Sequence, residues 1–145
     1  MLGLAAQWLG VNQTQANSVA PILISEEQGR HKSTFCRMLM PPQLARYYSD
    51  NLKLTAQGNP ERLLAEMGLL NMDEFDKFGA QKMPLLKNLM QMSSLNICKA
   101  YQKNFRSLPR IASFIGTSNR TDLLCDPTGS RRFICIEAEH DIDCT

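Results

Sequence analysis

The sequence predicts a three-layer α/β domain built on a largely parallel sheet. Three observations predict it. The chain has 145 residues, the length of one ordinary domain. It is 43% hydrophobic and 21% charged, which supplies a core and excludes a disordered or collagen-like chain. Short apolar runs of strand length alternate with segments whose apolar residues recur at helical spacing.

Leu2, Ala5, Ala6 and Leu9 fall at helical spacing, so a first helix covers 2–9, with Trp8 as a core residue. A polar linker follows to Ser18. Residues 19–24 are apolar and rich in β-branched side chains, the length of a buried strand with Pro21 near its start. Ser25 to His31 is a polar loop containing Gly29, and 32–39 is a helix stopped by Pro41 and Pro42. The 43–55 segment fits no single pattern.

Asn59 is placed to cap a helix whose first residue is Pro60, with Gly68 as its stop. Residues 69–72 form a second buried strand. A helix over 83–92 places Met83, Leu86, Leu89 and Met90 on one core-facing side. Residues 96–101 and 110–117 read as strands joined by a basic hairpin tip at 102–109. A turn at Asp126-Pro127-Thr128-Gly129 leads to a last strand over 132–137.

No apolar run approaches the ~20 residues that span a bilayer, and no membrane partner is expected. Lys and Arg are absent before Arg30, so the apolar opening lacks the basic start of a secretory signal, and a cytoplasmic protein is expected. The five cysteines (Cys36, Cys98, Cys125, Cys135, Cys144) are odd in number and form no C-x-x-C pair, and the histidines are only His31 and His140. That pattern suits reduced, packed thiols better than a zinc site or a disulfide framework.

The net charge is +2, but its distribution is lopsided. From Lys77 to Arg120 there are eight basic residues and no acid, while the rest of the chain sums to −6. One basic face suggests a polyanion partner, and a merely solvated face is the alternative.

Four motifs carry candidate chemistry. Between a strand and a helix lies Ser25-Glu26-Glu27-Gln28-Gly29-Arg30-His31-Lys32-Ser33-Thr34, the context of a phosphate-binding P-loop. Lys32 would reach the β/γ-phosphates and Ser33 would ligate Mg²⁺. Glu26 and His31 stand where the pattern has glycine, so an ordinary strand–loop–helix remains open. Asp73-Glu74 ends a hydrophobic strand. Asp73 would hold Mg²⁺ and Glu74 would polarise a water, although the pair alone also suits an acidic helix start. Phe114-Ile115-Gly116-Thr117-Ser118-Asn119 ends in an amide that could meet a γ-phosphate or water, or simply make a turn. Arg131 and Arg132 could neutralise charge in a phosphoryl-transfer transition state, or pair with surface acids. The order of the four, each acting at a strand end, is the layout of an ATPase with an extra sensor strand.

Residues 21–137 resemble the virulence-associated protein E family of prophages and other mobile elements. The resemblance rests on Gln28-Gly29…Lys32-Ser33-Thr34-Phe35, on 114–119 and on Asp126-Pro127-Thr128-Gly129-Ser130-Arg131-Arg132-Phe133. It implies a P-loop NTPase core of the AAA+ or superfamily 3 helicase type with an inserted β-hairpin, in a replication protein of helicase or primase–helicase type. Gly29, His31, Lys32, Ser33 and Thr34 match the ATP-binding loop, and Ser33 and Asp73 the Mg²⁺ site. Glu74 and Asn119 match the catalytic glutamate and sensor, and Arg131 or Arg132 an arginine acting across the interface of a homo-oligomeric ring, such as a hexamer. Lys99, Lys103 and Arg106 fall where such helicases contact single-stranded DNA. The expected organisation is an N-terminal helix and linker (1–18), an ATPase core (19–137) that is part of a longer protein, and an acidic tail (138–145). The alternative is a catalytically inactive nucleic-acid-binding remnant of the same fold.

Overall fold

The computed structural model describes residues 2–10, 17–98, 103–122 and 131–145. Its strands are β1 (Ala20–Ile24), β2 (Tyr48–Ser49), β3 (Leu69–Met72), β4 (Ser94–Cys98), β5 (Phe105–Pro109), β6 (Ser113–Ser118) and β7 (Phe133–Glu137). Its α-helices are α1 (Leu2–Leu9), α2 (Lys32–Met38), α3 (Pro60–Glu66) and α4 (Met83–Gln91). Five strands form one sheet in the order β2-β3-β6-β1-β7, every neighbour parallel. Parallel neighbours need crossovers, which α2, α3 and α4 supply.

The sheet is covered on both faces. Ala20, Ile22, Ile24, Leu70, Met72 and Phe114 point one way, onto Leu64 of α3 and Leu86, Leu89 and Met90 of α4. Leu23, Leu69 and Ile115, at alternate positions on the same strands, point the other way, onto Cys36 and Met40, with Leu4 and Trp8 of α1 packed beside them. Burial on both faces is why β1 and β3 read as continuous apolar runs. Three layers and a parallel sheet therefore stand as expected. Gly116 lets the central strands close up: a Cβ there would lie 2.6 Å from Ile22 Cδ1.

The structure corrects three local expectations. Asn59 precedes α3 but makes no side-chain cap bond; its backbone is left-handed (φ 43°) and its carbonyl accepts from Arg62 and Leu63. Met67, already extended, ends α3 before Gly68. Gly68 instead allows close packing, since a Cβ would meet Trp8 Nε1 at 3.1 Å, and its carbonyl accepts the indole N–H at 3.0 Å.

The third correction concerns the hairpin. Its arms are β4 and β5, registered Ser94 to Pro109 and Cys98 to Phe105, so much of the expected tip is an arm. The 113–118 segment belongs to the main sheet instead. The cause is Arg110, which is 1% exposed and pins the chain between the two. Its guanidinium donates to the carbonyls of Leu89 (3.3 Å), Met90 (2.5 Å) and Asn17. Arg110 is therefore removed from the basic face.

Candidate functional site

β6 lies between β1 and β3, so the loops that follow these strands meet at one edge of the sheet, where open α/β sheets bind ligands. A cleft of about 440 Å³ opens there, lined by residues 28–34 together with Asp73, Glu74, Thr117, Ser118 and Asn119. Gly29, His31, Lys32, Ser33, Thr34, Asp73, Glu74 and Asn119 are thus brought together.

The loop solves its missing glycines in two ways. Gly29 has φ +88° and His31 φ +56°, so His31 adopts the left-handed backbone that glycine favours, at a cost of about 1–2 kcal/mol. Neighbouring contacts hold it there. The His31 carbonyl accepts from Phe35 N–H at 2.9 Å, and the Arg30 carbonyl accepts from Ile142 N–H at 3.4 Å. The Arg30 guanidinium donates to the Glu139 carbonyl at 2.7 Å and pairs with Glu27 at 2.8 Å. The 138–145 segment thus lies along the loop, with Ile142 packed against the core. Glu26 does not line the cleft; its carboxylate accepts from Thr121 Oγ1 at 3.4 Å.

Lys32 is only 8% exposed. Its ammonium donates to Ser25 Oγ (2.5 Å), Asn119 Oδ1 (2.9 Å) and, more distantly, the Glu27 carbonyl (3.4 Å). These partners are neutral. Burial lowers the Lys32 pKa, the Arg30 charge lowers it further, and Asp73 opposes both. The result is a desolvated cation beside an open cleft, without a direct anionic partner.

The acidic pair is equally ordered. Ser33 Oγ donates to Asp73 Oδ1 at 2.8 Å, and Thr117 Oγ1 donates to the same oxygen at 2.5 Å. Glu74 has a left-handed backbone (φ 52°), and its N–H reaches Thr117 Oγ1 at 3.4 Å. Its carboxylate pairs with Lys77 at 2.6 Å. Ser118 Oγ donates to Asp76 at 2.8 Å.

Other expected residues are not in the cleft. Arg131 is exposed and Arg132 half-buried, just before β7, and neither lines it. Lys103 and Arg106 are exposed on the hairpin beside Phe105, which is 73% exposed. Lys99, Tyr101 and the 126–129 turn lie outside the described residues. The sequence reading missed Ser25, Thr117 and the Ser118–Asp76 pair. A register argument could have found Thr117. Met72 pairs with Gly116, so the next residues along these parallel strands, Asp73 and Thr117, fall side by side.

Chemically, the cleft offers a buried ammonium for an anion, and hydroxyl and carboxylate oxygens of the kind that hold a hard divalent cation. A second carboxylate, Glu74, is available to take a proton from water. Among the described residues no helix is long and apolar enough to cross a membrane.

Comparison with known proteins places the fold. Apo structures of the C terminal region of NrS-1 superpose on the chain. One has a TM-score of 0.65 at 22% identity, covering 99% of this chain and 36% of that one. The A form has a TM-score of 0.61 at 23% identity, covering 97% and 33%. The chain thus spans about a third of the length of these structures, and the likeness is one of fold. No curated protein matches. The model of the virulence-associated protein E-like domain matches residues 10–145, a span that takes in the loop, both acids, Asn119 and the hairpin. With nearly the whole chain matched, this protein belongs to the virulence-associated protein E-like domain family.

Proposed function

We propose that this chain is the ATP-binding and ATP-hydrolysing core of a mobile-element or prophage DNA replication protein of helicase or primase–helicase type. The observation that carries the reading is the meeting of Lys32, Ser33, Asp73, Glu74 and Asn119 around one cleft at the ends of adjacent strands. The residues fit nucleotide and Mg²⁺. The Lys32 ammonium has no direct anionic partner, Ser33 and Asp73 are already hydrogen-bonded to each other, and the Glu26 carboxylate is turned to Thr121.

In this reading Lys32 exchanges Ser25 and Asn119 for phosphate oxygens, which restore to the buried ammonium the charge partner it lacks. Gly29 to Thr34 present the loop backbone and hydroxyls to the phosphates. Ser33 and Asp73 hold Mg²⁺, which when bound neutralises developing phosphate charge. Asn119, released from Lys32, orients the attacking water, and Glu74 accepts its proton. Arg131 or Arg132 acts on the site of a neighbouring copy in a homo-oligomeric ring, which accords with neither reaching its own cleft. Phosphoryl transfer asks mainly positioning and charge neutralisation of the protein.

The hairpin is the proposed contact to single-stranded DNA. Lys103 and Arg106 face phosphates, and the exposed Phe105 ring stacks on a base.

Titrating ATP·Mg²⁺ into wild type and Lys32→Ala tests the reading. Wild type binds, and Lys32→Ala loses at least about tenfold in affinity, the 1.4 kcal/mol of a modest charge-assisted contact. Equal affinity in the two proteins overturns the assignment. Binding in wild type without any turnover would select the inactive remnant.

A further inference from the structure

We infer that Thr117 is the positioning residue for the metal-binding carboxylate, and that its hydroxyl sets Mg²⁺ affinity without contacting nucleotide. This rests on the reading above, in which Asp73 is a Mg²⁺ ligand.

The argument starts from how the Asp73 carboxylate is shared. Two hydroxyls, those of Ser33 and Thr117, converge on Oδ1. Only one of them can stay. Ser33 is the residue that must turn its oxygen toward a cation, and a hydroxyl engaged as a metal ligand gives up its place on Asp73. Thr117 has no such second task. It is 3% exposed, is held in the middle of the sheet between β1 and β3, and pairs in register with Leu23. Once Ser33 leaves, Thr117 is the hydroxyl that keeps Asp73 oriented.

The same oxygen serves the neighbouring acid. Thr117 Oγ1 donates to Asp73 and accepts from the Glu74 N–H, so one hydroxyl fixes a side chain and a backbone. Glu74 has φ 52°, a conformation that a non-glycine residue holds only when its surroundings impose it. A donor–acceptor hydroxyl is needed at this point, since an amide N–H and a carboxylate make opposite demands. Serine meets them as well as threonine does. Valine, with the same shape, meets neither.

Groups that orient a metal ligand typically alter metal affinity by about 10–100-fold when removed. The expected result is therefore confined to the metal. Affinity for a fluorescent ATP analogue is measured in EDTA, and the Mg²⁺ midpoint is then measured at saturating analogue, in wild type, Thr117→Val, Thr117→Ala and Thr117→Ser. Thr117→Val should raise the Mg²⁺ midpoint about tenfold or more while leaving affinity in EDTA unchanged. Thr117→Ser should restore the wild-type midpoint. Thr117→Ala repeats the loss of the hydroxyl with a smaller side chain, should valine fail to fold in the tightly packed strand. An unchanged midpoint in the folded Val or Ala variant overturns the inference and leaves the ATP site standing. So does an equal loss with and without Mg²⁺, or a serine variant that fails to recover. If wild type itself binds no nucleotide in either condition, the ATP site is overturned, and the role given to Thr117 falls with it.

Discussion

Lys32 and Arg110 are both basic and both buried, and they do opposite things. Lys32 sits at the loop edge of the sheet and Arg110 at the end where β6 begins. Each is held without a direct carboxylate contact, and burial lowers the pKa of both, that of Arg110 to about 10. The difference lies in the partners. Arg110 is bound by backbone carbonyls, two of them the terminal carbonyls of α4 that the helix cannot satisfy itself, and its guanidinium lies 5.5 Å from the centre of the Phe114 ring. Those partners cannot turn away without unfolding something. Lys32 is held chiefly by a hydroxyl and an amide side chain, which can rotate, and it borders an open cleft. A buried cation is a structural rivet when its acceptors are fixed, and a receptor for an anion when they are movable.

The largest effect should follow from testing that contrast directly. Arg110→Ala leaves three carbonyls short of a donor, opens a cavity beside Phe114 and frees the base of the hairpin. A loss of about 3 kcal/mol or more is expected, seen as a fall in Tm of roughly 10 °C or a failure to fold. Lys32→Ala removes a cation that is costly to bury and should leave Tm within about 1 kcal/mol of wild type, because removing a desolvated charge offsets the lost packing. Thermal melts of both variants decide it. Equal destabilisation would mean that Lys32 is a rivet too.

The contrast also explains what the sequence could and could not convey. Lys32, Ser33, Asp73, Glu74 and Asn119 were legible because each is a polar residue directly after a buried apolar run, and parallel strands carry such ends to one edge. The order of the runs gave the layers, since both faces are covered. Arg110 was not legible. In the sequence it is one more basic residue in an acid-free stretch, next to Lys103 and Arg106, and only packing shows that its charge is spent on α4. Taking it as exposed moved the strand boundary and misplaced the hairpin arms. Thr117 was missed for a related reason: its role depends on inter-strand register, which residue type alone does not carry. Glu26 looked like an obstacle because the sequence shows its charge but not its direction.

A smaller effect separates Arg110 from its exposed neighbours. If Lys103 and Arg106 face single-stranded DNA, replacing both with alanine should flatten the plot of log affinity against log salt by roughly 1 to 2, since each phosphate contact contributes about −0.7. The loss should be similar for every sequence tested, and Tm should not move, as both side chains are exposed. Fluorescence anisotropy with labelled oligonucleotides at several salt concentrations measures it. An unchanged slope would make these charges a solvated face, and the acid-free stretch would owe its one essential cation to Arg110.

The smallest effect concerns His31, on which the movable end of the comparison depends. Its left-handed backbone sets the direction in which Lys32 enters α2. Glycine at this position removes the steric cost of that conformation but gives the unfolded chain more freedom, and the two offset each other to within about 1 kcal/mol. His31→Gly should therefore keep Tm near wild type and retain or improve ATP binding. Valine is branched at Cβ and resists φ near +56°, so His31→Val should cost about 1–2 kcal/mol and drive the loop toward another conformation. Because the loop lies at the sheet edge, away from Arg110, that cost should appear as faster local hydrogen exchange in 25–34 and weaker ATP binding, with the Arg110 region still protected. Should His31→Val bind ATP as wild type does, the loop geometry would not matter to the site, and the movable partners of Lys32 would have to be sufficient by themselves.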